Sequence, residues 1–260
     1  MIKNVIASAA IALGLAASGS ASAVVIAGVD FANLGGSHLE TTTLAETFVN
    51  QVGQTLTGYG VVNTVNGAAS YTANGNKLYF VLNYNVTAFN GTSVTFDGGT
   101  VNIYLNPVLN LLTQSSATNL GIIQGGSLWA TLKGHKSAPS NAELAASGTL
   151  TGAQLAFTGA GLLDIISGAN GVFNYLNANS IADGLGGFAD IGVTTSGSNT
   201  VLNAFDNTTG CTTGRAAAGQ YCFQGSADLR GNTVPEPGIL ALVGLGLLGM
   251  GTTLRKRKSA

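Results

Sequence analysis

Between Lys77 and Leu105 the chain alternates with a period of two. Leu78, Phe80, Leu82, Tyr84, Val86 and Ala88 fall on one side, with Tyr79, Val81, Asn83, Asn85 and Thr87 on the other. That period belongs to a strand with one face turned to a core. Asn90-Gly91 then marks a turn, Val94 and Phe96 share a face, Asp97-Gly98-Gly99 marks a second turn, and Val101, Ile103 and Leu105 alternate again. The segment predicts a three-stranded antiparallel meander. Further strands are expected over residues 24–31, 58–65, 127–133, 148–158, 172–176, 188–194, 201–205 and 221–229, each short and bounded by Gly, Asn or Ser. Short helices are expected at 44–52 and 109–115, with a single turn at 141–146. Many short strands, frequent turn signals and no repeat of fixed period predict an all-β fold, a β-sandwich or related layered antiparallel arrangement.

Two segments break this pattern, one near each end. Lys3 is followed by an apolar run over 5–17 and then by Ala21-Ser22-Ala23, a small-x-small cleavage site. This reads as a secretory signal peptide, with Val24 as the first mature residue. At the other end, residues 238–254 form 17 uncharged positions rich in Leu, Ile, Val and Met and containing five glycines. A helix of that length reaches roughly 25 Å, slightly less than the ~30 Å hydrocarbon core of a bilayer. It spans marginally, helped by Arg255, Lys256, Arg257 and Lys258, which snorkel to the headgroups and stay cytoplasmic, leaving the body outside. Gly244, Gly246 and Gly249 spell a dinucleotide-binding fingerprint, but no βαβ unit surrounds them, and close packing within a membrane helix explains them better.

Before that span stands Val234-Pro235-Glu236-Pro237. Each proline lacks an amide donor and holds its predecessor out of helical geometry, so the motif is an extended strip suited to a peptidase groove. The V-P-E-P motif, apolar span and R-K-R-K end resemble the PEP-CTERM sorting signal of Gram-negative bacteria. The resemblance covers about a tenth of the chain. It implies recognition by an exosortase, a membrane-embedded transpeptidase-like enzyme, removal of the anchor, and association with exopolysaccharide production. The chain accordingly divides into a signal peptide (1–23), an exported β domain (24–232) and a sorting tail (233–260). The body is also similar in organisation to flocculation-associated PEP-CTERM proteins. That likeness rests on a Thr- and Phe-containing segment after Leu44, the aromatic strand from Leu78 to Tyr84, and Phe96-Asp97-Gly98-Gly99-Thr100-Val101-Asn102-Ile103-Tyr104-Leu105. It implies a role in aggregation within a polysaccharide matrix and brings no catalytic residues.

Composition narrows the partners of the body. Residues 24–232 hold ten acidic and five basic side chains, so no basic patch is available for nucleic acid. Charged residues make up 8% of the chain, against a typical ~25%, and Gly, Ser, Thr and Asn supply polarity instead. Cys211 and Cys222 are the two cysteines. In an exported chain they most simply pair, and closing so short a loop contributes roughly 3 kcal/mol in the chain-entropy view.

Candidate chemistry is sparse. His38 and His135 are the two histidines, almost 100 positions apart and without a nearby acidic pair, and Lys133-Gly134-His135-Lys136 reads as a solvated turn. No G-x-S-x-G elbow is present. Asp183 and Asp190 flank a Gly-rich loop and form a weak Ca²⁺ candidate, since calcium needs six to eight oxygen ligands. They read more simply as acidic residues solvating a turn. Asn85, Asn90 and Asn207 open N-x-S/T triplets that serve as strand and turn residues. Tyr59, Tyr71, Tyr79 and Trp129 are candidate sugar-stacking platforms if exposed. The expected function is that of a non-enzymatic surface or matrix protein without a cofactor. It passes the Sec translocon and signal peptidase, is anchored transiently in the inner membrane, and is processed by exosortase for the cell surface or extracellular space. There it acts in adhesion, aggregation or exopolysaccharide-associated biofilm or floc formation. The alternative is a secreted polysaccharide-active hydrolase or carbohydrate-binding module.

Overall fold

Eight antiparallel staves follow one another around a circle in the order of the sequence, until the last pairs with the first. The computed structural model describes residues 24–32, 35–151, 154–199, 205 and 218–234. In chain order the elements are β1 (Val25–Ile26), β2 (Val29–Asp30), β3 (Gly36–Glu46), β4 (Thr55–Val61), β5 (Thr64–Val65), β6 (Lys77–Phe89), β7 (Ser93–Asn106), α1 (Ser116–Gln124), β8 (Ser127–His135), β9 (Leu144–Thr151), β10 (Gln154–Gly168), α2 (Val172–Leu176), β11 (Ile181–Ala182), β12 (Phe188–Ala189), β13 (Ile191–Ser198) and β14 (Phe223–Asn232). The staves are β3, β4, β6, β7, the collinear pair β8 and β9, β10, β13 and β14. Strand β14 returns to β3, running from Phe223 opposite Glu46 to Asn232 opposite Gly36. The result is an up-and-down barrel rather than the expected sandwich. Period-two alternation describes one buried face equally well in either architecture, and the β3–β14 pairing decides between them.

The strongest sequence pattern is realised with one change. Leu78, Phe80, Tyr84 and Val86 of β6 point into the barrel and are buried there with Phe96, Val101 and Ile103 of β7. The turn at Asn90-Gly91 is present: the Asn90 side-chain oxygen accepts hydrogen bonds from the amides of Thr92 and Ser93. Asp97-Gly98-Gly99 is instead a bulge inside one continuous strand, across from Tyr84. Gly98 takes a φ of 67°, a conformation glycine adopts at little cost. The expected three strands are therefore two.

Other departures have local causes. The strand expected at 172–176 is helix α2, because Asn170 and Gly171 both have positive φ and end β10. Val172, Tyr175 and Leu176 then bury at helical spacing. The helix expected at 44–52 is replaced through Glu46 by β3, which has partners on both sides. A helix forms at α1 rather than at 109–115. Ser115 caps it, its hydroxyl accepting from the Thr118 amide at 3.3 Å. The strand expected over 148–158 straddles the β9–β10 hairpin. The signal segment, the apolar span at 238–254 and most of 201–205 lie outside the described residues.

The two ends of the barrel are finished differently. Phe31, just after the β1–β2 hairpin, is fully buried, its ring 6.2 Å from Trp129 and 5.0 Å from Tyr175 of α2. Hairpin and helix thus plug the end where β6 begins and β7 finishes. The opposite end is rimmed by the β6–β7 turn, the tip of β9, the start of β10, the start of β14 and the end of β3. On the outer wall, α1 covers Tyr59, Tyr79 and Val81 in a second cluster that includes Ile123.

Glycines make room for rings inside a barrel of this narrow bore, where eight strands leave an interior just wide enough for side chains or one small ligand. A Cβ added at Gly60 would lie 2.8 Å from the Phe80 ring, and one at Gly99 would fall within the Tyr84 ring. Gly99→Ala should therefore cost about 1–3 kcal/mol through overpacking. Gly121→Ala, on the exposed side of α1 with open space around it, should stabilise by about 0.5–1 kcal/mol. Urea unfolding of the two variants checks both signs, and equal midpoints would contradict the ring-in-glycine packing.

Candidate functional site

The sorting motif follows directly on the last stave. Strand β14 ends at Asn232 and the next two residues are tied to the plugged end. Gly35 donates its amide to the Thr233 hydroxyl at 3.2 Å, and Val234 donates its amide to the Tyr175 carbonyl at 2.8 Å. Pro235, Glu236, Pro237 and the basic run Arg255 to Lys258 lie outside the described residues, as do Ala21 and Ala23. Val24, the expected first mature residue, is buried in the core, and its carbonyl accepts from the Phe31 amide at 2.9 Å. Cys222 is buried and no free cysteine occurs among the described residues, whereas Cys211 is outside them.

His135 is not a solvated turn residue. It ends β8, where its Nδ1 meets Asp164 Oδ2 of β10 at 2.7 Å and its Nε2 meets Asp183 Oδ2 at 3.1 Å. The two acids come from 29 and 48 positions away, so no sequence window shows them. Burial alone would favour the neutral ring, but the hydrogen bonds and charges of both carboxylates outweigh it and raise the His135 pKa. Asp183 is held down at about 2, first by His135 and then by amides of its own loop. A carboxylate thus stands within hydrogen-bond distance of each ring nitrogen. His135 clasps β8, β10 and the loop between β11 and β12.

Each acid of the weak Ca²⁺ pair is bonded to backbone amides. Asp183 Oδ1 accepts from the amides of Leu185, Gly186 and Gly187 at 2.7, 3.0 and 2.9 Å. Asp190 accepts from Ile165 and Asn179 at 3.0 and 2.7 Å and is 1% exposed. Both carboxylates are committed to backbone donors. The four aromatic candidates for sugar stacking are also corrected: Tyr59, Tyr71, Tyr79 and Trp129 are all buried. Tyr71 donates to the Val62 carbonyl and accepts from the Leu78 amide, and Tyr79 accepts from the Leu109 amide.

Barrel closure brings His38, Glu40 and Asp228 together, with their ligand-type atoms within 4.8 Å of one another. His38 Nε2 lies 3.3 Å from Asp228. Thr64 donates to Glu40 at 2.7 Å, and Arg230 lies 3.9 Å from Asp228. The groups form a surface cluster, and surface pairs of this kind are worth little in stability.

The residue that sequence reasoning passed over is Glu46. At the end of β3 it is 2% exposed, and its Oε2 has no hydrogen-bond partner among the described residues. Burial pushes its pKa to about 8. It lines a cavity of about 60 Å³ at the open end of the barrel, walled by Leu56, Val94, Phe96, Leu155, Phe157 and Phe223. The available signal was a second acid after Glu40 in a strand rich in apolar and β-branched residues, but only closure shows that it faces inward.

Fold and tail together define a closed β-barrel domain joined without a linker to a sorting segment. Residues 233–258 match the family model described as the PEP-CTERM protein-sorting motif. The chain therefore carries a PEP-CTERM sorting signal, which implies export, a membrane-anchoring signal and exosortase as the processing partner. No curated protein and no solved structure matches the chain. Among the described residues no helix is long and apolar enough to cross a membrane.

The clasp sets a pH signature. A raised His135 pKa contributes stability fully below the unfolded value near 6.5, and that contribution fades as pH climbs through the folded value. The lowered Asp183 pKa contributes above its unfolded value near 3.9, and its share fades as pH falls towards about 2. The stability gap between wild type and His135→Ala should thus be widest from about pH 4 to 6.5 and shrink on both sides. Chemical unfolding across pH 3 to 9 checks this, and a flat difference would contradict an ionic clasp.

Proposed function

We propose that this protein is a non-enzymatic extracellular β-barrel. Its tail holds it briefly in the inner membrane, exosortase cuts within or beside Val234 to Pro237, and the barrel goes to the cell surface or matrix. There it takes part in adhesion, aggregation or exopolysaccharide-associated biofilm or floc formation, a role that the resemblance to flocculation-associated proteins favours. One observation carries the processing reading. The matched segment begins at residue 233, immediately after β14 ends at Asn232. A cut in the motif leaves every stave of the barrel in place. Export through the Sec route with cleavage after Ala23 is part of this reading, and it would leave the buried Val24 as the first mature residue. The Cys211–Cys222 disulfide belongs to the same proposal.

Replacing Pro235, Glu236 and Pro237 with Ala should leave the full-length protein in the membrane fraction, whereas wild type is shortened and leaves it. Unchanged processing, followed by immunoblot of fractionated cells, would remove the motif from the recognition step. For the body, the expected outcome is retention on purified exopolysaccharide with no release of reducing sugar. Turnover by the purified barrel would favour the hydrolase alternative and sink the non-enzymatic reading.

A further inference from the structure

We propose that the open end of the barrel binds a small, neutral aliphatic molecule bearing a terminal hydroxyl, with the Glu46 carboxyl holding that hydroxyl. Position is the first argument. Glu46 stands opposite Gly58 of β4 and opposite Phe223 of β14. A Cβ at Gly58 would come within 3.1 Å of Glu46 Cγ and of Leu82. The missing side chain on β4 thus gives the acid its inward place, between the mouth cavity and the apolar barrel interior, both of which it lines.

The second argument is the unpaired oxygen. A buried polar atom without a partner costs on the order of 1–3 kcal/mol, and native folds keep few of them. Two hydroxyls in the mouth are committed elsewhere: Thr47 donates to Thr55 and accepts from Thr57, and Thr195 donates to Ser226. Two other buried carboxylates, Asp183 and Asp190, accept from backbone amides. Glu46 Oε2 is left facing a space walled by aliphatic and aromatic groups.

Chemistry selects the ligand class. With its pKa near 8 the carboxyl is neutral at neutral pH, so it both donates and accepts. A hydroxyl does the same and matches it in either sense. A cationic or anionic head would have to shed its hydration in an apolar mouth, at a cost one neutral acid does not offset. The walls require a hydrocarbon body. A water-sized site needs about 10–15 Å³ on this measure, so the cavity admits a slender chain of about four to six carbons.

The test needs no unknown ligand. 1-Hexanol, hexylamine and hexanoate are titrated at pH 6.5 into the purified full-length protein in detergent, and amide shifts are followed by NMR. Hexanol should give saturable shifts confined to the mouth, including Gly91, Phe96, Phe157 and Phe223, with the charged analogues at least about tenfold weaker. Glu46→Leu should weaken hexanol about tenfold, Glu46→Gln should retain it within about threefold, and Ala146→Phe should fill the mouth and abolish it. Binding should also weaken as pH rises past about 8 and Glu46 ionises. Among the described residues lining the two cavities, Tyr84 of β6 is the other titratable group. Burial and then Glu143 raise its pKa, so it stays neutral over that range, while the Glu143 carboxylate at the start of β9 is bonded to the Gly99 amide. Unsaturable or scattered shifts, a charged analogue equal to hexanol, or undiminished binding by Glu46→Leu would each overturn the proposal.

Discussion

Everything in this molecule depends on the hydrogen-bonded seam between β3 and β14. It joins the first stave to the last across nearly two hundred residues, from Gly36 opposite Asn232 to Glu46 opposite Phe223. A sheet left open there would expose two unpaired edges, each a template for aggregation. Closure removes both. Seven neighbouring pairings are nearer in sequence, so the seam carries the largest loop-closure cost.

Closure to a small circumference explains the composition of the body. The interior of an eight-stranded barrel leaves little room, so large rings need recesses opposite them. Phe80 uses Gly60, Tyr84 uses Gly99, and Phe157 uses Gly197. The abundance of glycine is thus partly a packing requirement rather than a sign of loose loops. The same economy governs polar groups. Asp183 and Asp190 cap loops with their oxygens, His135 locks between two acids, and the hydroxyls of Tyr71 and Tyr79 find backbone partners. At the open end, Glu46 Oε2 lines the mouth cavity without a hydrogen-bond partner among the described residues.

The asymmetry of the two ends links the fold to its delivery. The β1–β2 hairpin and α2 seal one end with Phe31, Trp129 and Tyr175, and the chain leaves from that sealed end at Val234. The end that would be near the membrane tether is therefore the plugged one. The end carrying the mouth cavity is formed by the opposite termini of the staves, away from the sorting motif.

The sequence by itself determined the sorting signal, the all-β class and the β6–β7 hairpin, because each is written in adjacent residues. Prolines, an apolar run and a basic cluster need no partner to be read, and neither does period-two alternation ended by Asn90-Gly91. Tertiary structure decided whatever depends on a second segment. Asp97-Gly98-Gly99 suits a turn or a bulge, and Tyr84 across the pair made it a bulge. Residues 172–176 suit a strand until Asn170 and Gly171 end β10. Alternation marks a face as buried but does not say against what, so a sandwich and a barrel look alike locally. For the same reason Tyr59, Tyr71, Tyr79 and Trp129 offered themselves as surface platforms and proved to be core. His135 and Glu46 owe their surroundings wholly to closure, since the groups around them come from strands that only the finished barrel places side by side.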